Sequence, residues 1–403
     1  MRINKNGVGI VPLAATAIVL CLLGYSIWAT PPDSTPPDST ALDSTPPDST
    51  TRSFSSETND RSADSTVPSV VATYHDNSDL ASWANFESRM LSFGATHGDW
   101  LIANQDNADW GPSLNRGYYD FGFIAYTIAE YTGADVDLWR SRGDAWLRVY
   151  DNYVTNVASG APAGWYKFTG GLRKKHHLTG DVPSRTLVSQ IALHGAYNPD
   201  ATPIDRTADA AFSREVAYAV MNYIDDEKLG APHRAKMEDF ISQIYAPKTG
   251  HFAQWFDSPP YVPKDGQSYF SPFMWGLSSL AGIQYVNDIG PDARILPAIR
   301  AAADWVRPNC WSDKEKQHLY RTNDPLWGNA PDLEMFVAPV YWWLYKMTGD
   351  TKYKAWGDAS FNAAFATRGG AYLTGGKQFT ESFRWVFDGL LYRAQGDALH
   401  LAR

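Results

Sequence analysis

Two well-separated stretches of this chain spell the same pair of helices. In YYDFGFIAYTIAEY, Tyr118–Tyr131, nearly every face is apolar. Thr132-Gly133 then stops the helix, and an Asp-rich restart leads into an amphipathic run from Asp137 to Val154. In MFVAPVYWWLYKM, Met335–Met347, the same thing happens: TGDTKY follows, then an amphipathic run through Ala364. Aligned, Thr132-Gly133…Gly143-Asp144-Ala145 and Thr348-Gly349…Gly357-Asp358-Ala359 are two copies of one helix-turn-helix unit whose turns differ by two residues. A helix that is apolar on most faces must be covered on several sides. One hairpin cannot do this alone, so hairpins must stack.

Further hairpins fit Ser268–Val286 with Ala293–Val306, across a turn at Asn287–Pro291, and Arg214–Asp225 with His233–Ile244. Thr380–Gln395 closes the chain as another apolar helix. Between them, aromatic stretches at 97–112, 158–182, 246–267 and 307–331 read as long loops. A linear array would show a stricter period and polar caps. The irregular spacing therefore predicts an all-α fold, an (α/α) toroid of about five to six helical hairpins over residues 74–403.

The beginning of the chain is different material. Arg2 and Lys5 precede an apolar stretch long enough to cross a bilayer, so residues 1–29 are expected to be a signal anchor, or a signal peptide cleaved after Ala29. Residues 30–73 carry PPDST-PPDST-ALDST-PPDST, with ADST echoed at 63–66. Proline pairs forbid helix and the Asp and Ser residues stay solvated, so this is a stalk. The helical domain is expected to be exported, either membrane-anchored or secreted. With Cys21 in the apolar segment and Cys310 alone beyond it, no internal disulfide is expected in that domain.

The net charge of −9 argues against nucleic acid as a partner. No C-x-x-C, Walker-type or dinucleotide-type glycine motif is present, so no metal and no cofactor is expected. Sixteen Trp and 22 Tyr suit a large helical core or a groove that stacks flat apolar faces, sugar rings included.

The stretch PDLEMFVAPVYWWLYKMTGDTKY, Pro331–Tyr353, resembles the inner-helix, TGD, outer-helix units of six-hairpin glycosidases, and in particular unsaturated glucuronyl and rhamnogalacturonyl hydrolases. The likeness is strong over this hairpin and weaker at Tyr118–Ala145. It implies that an Asp near the start of such a helix, here Asp332, is a general acid/base that hydrates the C4–C5 double bond left by lyases. This chain departs from that pattern by placing the hairpin near its C-terminus.

Helix N-termini favour negative charge, so carboxylates that open the apolar helices are the catalytic candidates: Asp332, Asp120, Glu334 and Glu381. Glu215 after Arg214 is a further carboxylate of this kind. Glycosidic cleavage commonly uses two such groups. First-turn acids are also simply caps. Candidate sugar-contacting residues are Trp327, Tyr119, Trp165, Trp275 and Arg384. To these the basic run GGLRKKHHLTGD, Gly170–Asp181, adds Lys175, His176 and His177. Such a run is either a solvated connection or a docking edge for a uronic-acid or sulfated sugar.

The leading expectation is an exported glycoside hydrolase acting on a polysaccharide or oligosaccharide substrate. A polysaccharide lyase using His176 or His177 with a Tyr is the first alternative. A non-catalytic glycan-binding envelope protein is the second.

Overall fold

Helices carry nearly all of the described chain. A computed structural model describes residues 73–195, 213–244, 270–322, 330–366 and 372–400, which all belong to one compact unit spanning 68–403. The expected N-terminal segment 1–29 and the linker as far as residue 72 lie outside the described residues. Among the described residues no helix is long and apolar enough to cross a membrane.

The helices are α1 (Trp83–Asn104), α2 (Gly111–Arg116), α3 (Phe121–Thr132), α4 (Val136–Asn152), α5 (Gly170–Thr179), α6 (Val182–His194) and α7 (Ser213–Lys228). They continue with α8 (Arg234–Ile244), α9 (Pro272–Asp288), α10 (Ile295–Cys310), α11 (Glu334–Thr348), α12 (Thr351–Phe365), α13 (Gly376–Phe383) and α14 (Val386–His400). The strands described are β1 (Trp311–Ser312) and β2 (Gln317–His318), paired antiparallel with Trp311 opposite His318.

The odd-numbered helices from α3 onward touch one another in succession. α3 packs on α5, α5 on α7, α7 on α9, α9 on α11, and α11 on α13 and α14, while α13 returns to α3. The amphipathic helices cover them: α4 on α3, α6 on α5 and α7, α8 on α7, α10 on α9, α12 on α11. α1 lies against α4, α12 and α13. The resulting core is strongly aromatic, with Trp146, Trp275, Trp342 and Trp343 all at 0% exposure.

The repeat has a structural cause. Gly133 and Gly349 cap α3 and α11 in the left-handed conformation, with φ of 60° and 73°, which an L side chain rarely adopts. In the following helix, a Gly-Asp pair then fastens the two elements. The Asp144 carboxylate accepts from Tyr126 Oη at 2.7 Å, and the Asp358 carboxylate accepts from Trp342 Nε1 at 2.8 Å. A Cβ on Gly357 would lie 2.5 Å from the Trp342 ring, so only glycine lets the helices approach this closely. Gly396-Asp397 in α14 repeats the device on α11, where Tyr345 Oη donates to Asp397 at 3.0 Å.

Several stretches expected as loops are helical. Residues 97–104 belong to α1, and 158–182 contains α5 and a short 3-10 turn, Gly164–Tyr166. GGLRKKHHLTGD is thus a helix, capped at its end by Gly180 with φ of 73°. Its glycines signalled a turn, yet Gly171 serves packing: a Cβ there would lie 2.4 Å from Asp120 Oδ1. The expected terminal helix is broken at Arg384-Trp385 into α13 and α14. Within the expected stretch 307–331, β1 and β2 form a small hairpin; 246–267 lies outside the described residues.

Candidate active site

Asp332 lies in a 3-10 turn, Pro331–Leu333, that feeds directly into α11. Glu381 lies on α13, 2% exposed. The two carboxyls meet. Burial pushes the Glu381 carboxyl well above its ordinary 4.5, Lys377 opposes this, and Asp332 adds to it by charge and by hydrogen bonding. Lys377 Nζ, one turn earlier on α13, lies 3.4 Å from Glu381 Oε1, and Glu381 Oε2 is buried with no hydrogen-bond partner among the described residues. Asp332 itself is half-buried, so the pair has one face toward the protein and one toward solvent.

Around this pair is an aromatic and ionic shell that begins with Tyr118 and Tyr119. Their rings meet edge to face at 4.4 Å, and Lys377 Nζ lies 5.6 Å from the centre of the Tyr118 ring. Arg214 and Glu215, at the start of α7, form an ion pair at 2.5 Å. Burial would favour neutral Arg214, but Tyr118, Glu215, Tyr119 and Tyr218 outweigh it and hold the guanidinium charged. Tyr118 and Tyr119 also feel the charge of Glu381, which ties the two halves of the cluster together. Glu215 Oε2 and Tyr218 Oη are buried without a hydrogen-bond partner among the described residues. With Glu381 Oε2 that makes three unsatisfied polar oxygens in one neighbourhood, where a single one costs about 1–3 kcal/mol.

The backbone is unusual here as well. Tyr119 and Asp120 both have positive φ, 70° and 73°. Left-handed non-glycine residues cost on the order of 1–3 kcal/mol each and collect at functional sites. Asp120 is the N-cap of α3: its Oδ1 accepts from Phe123 N at 3.1 Å and its Oδ2 from Gly171 N at 2.8 Å. Burial raises the Asp120 carboxyl above its usual range, against the pull of Arg384 and of these two amides. Arg384 Nε is 3.9 Å from Asp120, and its guanidinium lies 3.7 Å over the Phe123 ring. Asp120 thus joins α3, α5 and the α13–α14 junction.

The remaining expectations divide. Glu334 is not free for catalysis: its two oxygens accept from His318 N at 2.5 Å and engage His318 Nδ1 at 2.9 Å, fastening β2 to α11. Trp275 is wholly buried against Tyr341 and presents no face to a sugar. Tyr119 is 2% exposed, with Phe168, Phe336 and Trp385 around its ring, so it is a wall of the site rather than a stacking surface. Trp165 is 43% exposed and keeps an open face. Trp327 lies outside the described residues.

The basic run is absorbed by neighbouring helices instead of forming a docking edge. Arg173 bridges Asp225 and Asp288 at 3.0 Å each, Lys174 reaches Glu130 at 2.7 Å, and Lys175 reaches Asp144 at 2.8 Å. His176 Nδ1 lies 2.9 Å from the carbonyl of Asp181, past the end of its own helix. His177 is exposed beside it, and no contact joins either ring to the Asp332–Glu381 pair.

Three members of the shell were not singled out by sequence: Tyr118, Tyr218 and Lys167. Lys167 is enclosed, donates to the Glu215 carbonyl at 3.1 Å, and is pushed by burial down to about 7, against the pull of Glu215. Lys-Phe-Thr between an aromatic pair and a double glycine carries no motif, so only packing reveals it. Among the described residues no group of three or more His, Cys, Asp or Glu side chains is arranged to hold a metal ion. No family model, curated protein or solved structure matches this chain.

Proposed function

We propose that residues 74–403 form a closed (α/α) toroid of six hairpins and that the domain is an exported carbohydrate-active hydrolase whose acid/base centre is Asp332 with Glu381. The succession of inner-helix contacts from α3 round to α13 and back supports the ring. Five hairpins are α3–α4 through α11–α12, and α1 covers the sixth inner element, α13–α14.

The observation that carries the reading is the coupled carboxyl pair, set beside buried oxygens that lack partners among the described residues. Glu381 is the proton donor, kept protonated by burial and by the neighbouring Asp332 charge. Glycosidases that attack a bond from both sides hold their carboxyls about 5–5.5 Å or 6.5–9.5 Å apart. A pair in hydrogen-bonding reach of each other instead resembles carboxyls that share one proton. That suits a single-centre step: Glu381 protonates C4 of the unsaturated uronate double bond, water adds at C5, and the proton the water loses passes to Asp332, which returns it to Glu381. This is the chemistry implied by the resemblance at Pro331–Tyr353. Arg214 and Lys377 supply positive charge for the sugar carboxylate.

A lyase is the second reading, favoured by Arg214 beside Tyr118 and Tyr218. Burial raises both tyrosine hydroxyls and keeps them protonated, which counts against them as the base of an elimination. The test is to incubate the purified protein with lyase-cleaved unsaturated oligosaccharides and with intact neutral and acidic polysaccharides. Loss of the unsaturated-uronate ultraviolet absorbance supports the proposal. New absorbance from intact uronan supports the lyase. Saturable binding with no turnover on any substrate supports a non-catalytic glycan-binding protein and overturns both enzyme readings.

A further inference from the structure

A cavity of about 120 Å³ opens between α3, α5, α7, α9 and α14. Its lining reaches Asn287 and Asp288 at the C-terminal end of α9, and neither Asp332 nor Glu381 is among its lining residues. A layer formed by Asp120, Arg384 and Trp385 borders it: Gly170, Arg384 and Trp385 line the cavity, while Trp385 also contacts Tyr119 of the shell described above. The space is on the order of ten times what one water needs by the same measure.

The polar groups facing it are arranged in mixed signs. Arg173 is held between Asp225 and Asp288, Gln284 Nε2 donates to Asp225 Oδ1 at 3.0 Å, and Asn287 Nδ2 donates to Tyr392 Oη at 2.9 Å. Asp388 is the exception. Among the described residues it has no hydrogen bond or ion pair, and the nearest charges acting on it are those of Arg384, Lys174 and Arg173. The cavity therefore offers an unused carboxylate, spare guanidinium N–H groups and free amide oxygens, with the half-buried Tyr392 ring as a flat face.

That chemistry selects among ligands. Arg173 is already neutralised between Asp225 and Asp288, which leaves Asp388 and Arg384 as the charges open to a ligand. An ammonium would gain Asp388 but meet Arg384, and an anion would gain Arg384 but meet Asp388. A neutral polyhydroxyl ring can donate to Asp388, accept from Arg384, and lay its C–H face on the Tyr392 ring. We propose that this cavity is a binding site for a neutral monosaccharide-sized sugar, separate from the Asp332–Glu381 centre and independent of the chemistry proposed there.

The test is calorimetric titration of the full chain with glucose, galactose, mannose and N-acetylglucosamine, alongside glucosamine and glucuronate as cationic and anionic probes. Saturable binding of a neutral sugar is expected, with affinity reduced at least ten-fold in Asp388→Leu. Because Asp388 is partly buried, Asn287→Trp provides a second variant: Asn287 is exposed at the rim, and an indole there should block entry while the melting temperature stays unchanged. Binding should persist in Glu381→Gln. Tighter binding of glucosamine or glucuronate, binding indifferent to both cavity variants, binding lost in Glu381→Gln, or no saturable binding of any neutral sugar would each overturn the assignment.

Discussion

The carboxyl pair at Asp332–Glu381 and the basic run on α5 make an instructive contrast. Read as sequence, the run from Arg173 to His177 is the more conspicuous, because it concentrates charge in an acidic protein. In the fold, its Arg and Lys side chains each find a carboxylate on a neighbouring helix and His176 finds a backbone carbonyl. Asp332 and Glu381 are inconspicuous in sequence, 49 positions apart in the numbering, yet their carboxyls meet, in a shell containing three buried oxygens with no hydrogen-bond partner among the described residues. Satisfied charge marks architecture. Unsatisfied buried polarity is the stronger pointer to function, because a stable fold has no other reason to keep it.

The largest effect should come from the pair itself. Glu381→Gln removes the proton donor while preserving shape, and turnover should fall by about 10²–10⁴-fold, the usual range for a general acid. Melting temperatures should stay close to wild type under acidic conditions. The sign of the difference at higher pH follows from the raised carboxyl. Because the folded state holds this proton more tightly than the unfolded chain does, the wild type loses stability as pH rises above the ordinary value of 4.5. Glu381→Gln should escape that loss, so the variant becomes the more stable of the two as pH increases. A variant that melts lower than wild type at every pH would mean that Glu381 is a structural buried acid.

Next in size are the Gly-Asp fastenings. Asp358→Ala should destabilise the protein by about 2–3 kcal/mol, because it strips a partner from both Trp342 Nε1 and Arg393. Gly357→Ala should cost about 1–3 kcal/mol by overpacking against Trp342. Denaturant unfolding reads both. Neither residue belongs to the candidate site, so activity per folded molecule should be unchanged.

At the small end lie the α5 charges. Lys175→Ala should cost about 0.2–1 kcal/mol, the range for a partly exposed ion pair, and His177→Ala should stay within about 0.5 kcal/mol of wild type. Turnover should change less than two-fold in each, by steady-state assay. A large activity loss in His177→Ala would erase the contrast drawn here and revive a histidine-based elimination.

Much of this architecture was legible from residues. The all-helical class, the two related hairpins at α3–α4 and α11–α12, and the α7–α8 and α9–α10 pairs all follow from apolar period and Gly-Asp turns. The α5–α6 hairpin did not, because Gly170-Gly171 and Thr179-Gly180-Asp181 look like loop punctuation, whereas Gly171 is required by the approach of Asp120. The site was partly legible: a search for acids at helix starts selected Asp332, which precedes α11, and Glu381, which instead lies in the last turn of α13; it also selected Glu334, whose partner His318 arrives on a two-residue strand that no periodicity announces. Asp120 and Trp275 show the same limit. Whether an N-terminal acid is a cap, or an indole is a plug, depends on what packs over it.

The most direct test of the central claim is a carbon-detected NMR titration of the side-chain carboxyls, with Glu381 assigned by its absence in Glu381→Gln. Glu381 should titrate well above 4.5 in the wild type and at a lower pH in Asp332→Asn, since removing the neighbouring charge eases ionisation. Titration of Glu381 near its ordinary value, or indifference to Asp332→Asn, would contradict a coupled acid/base centre at these two residues.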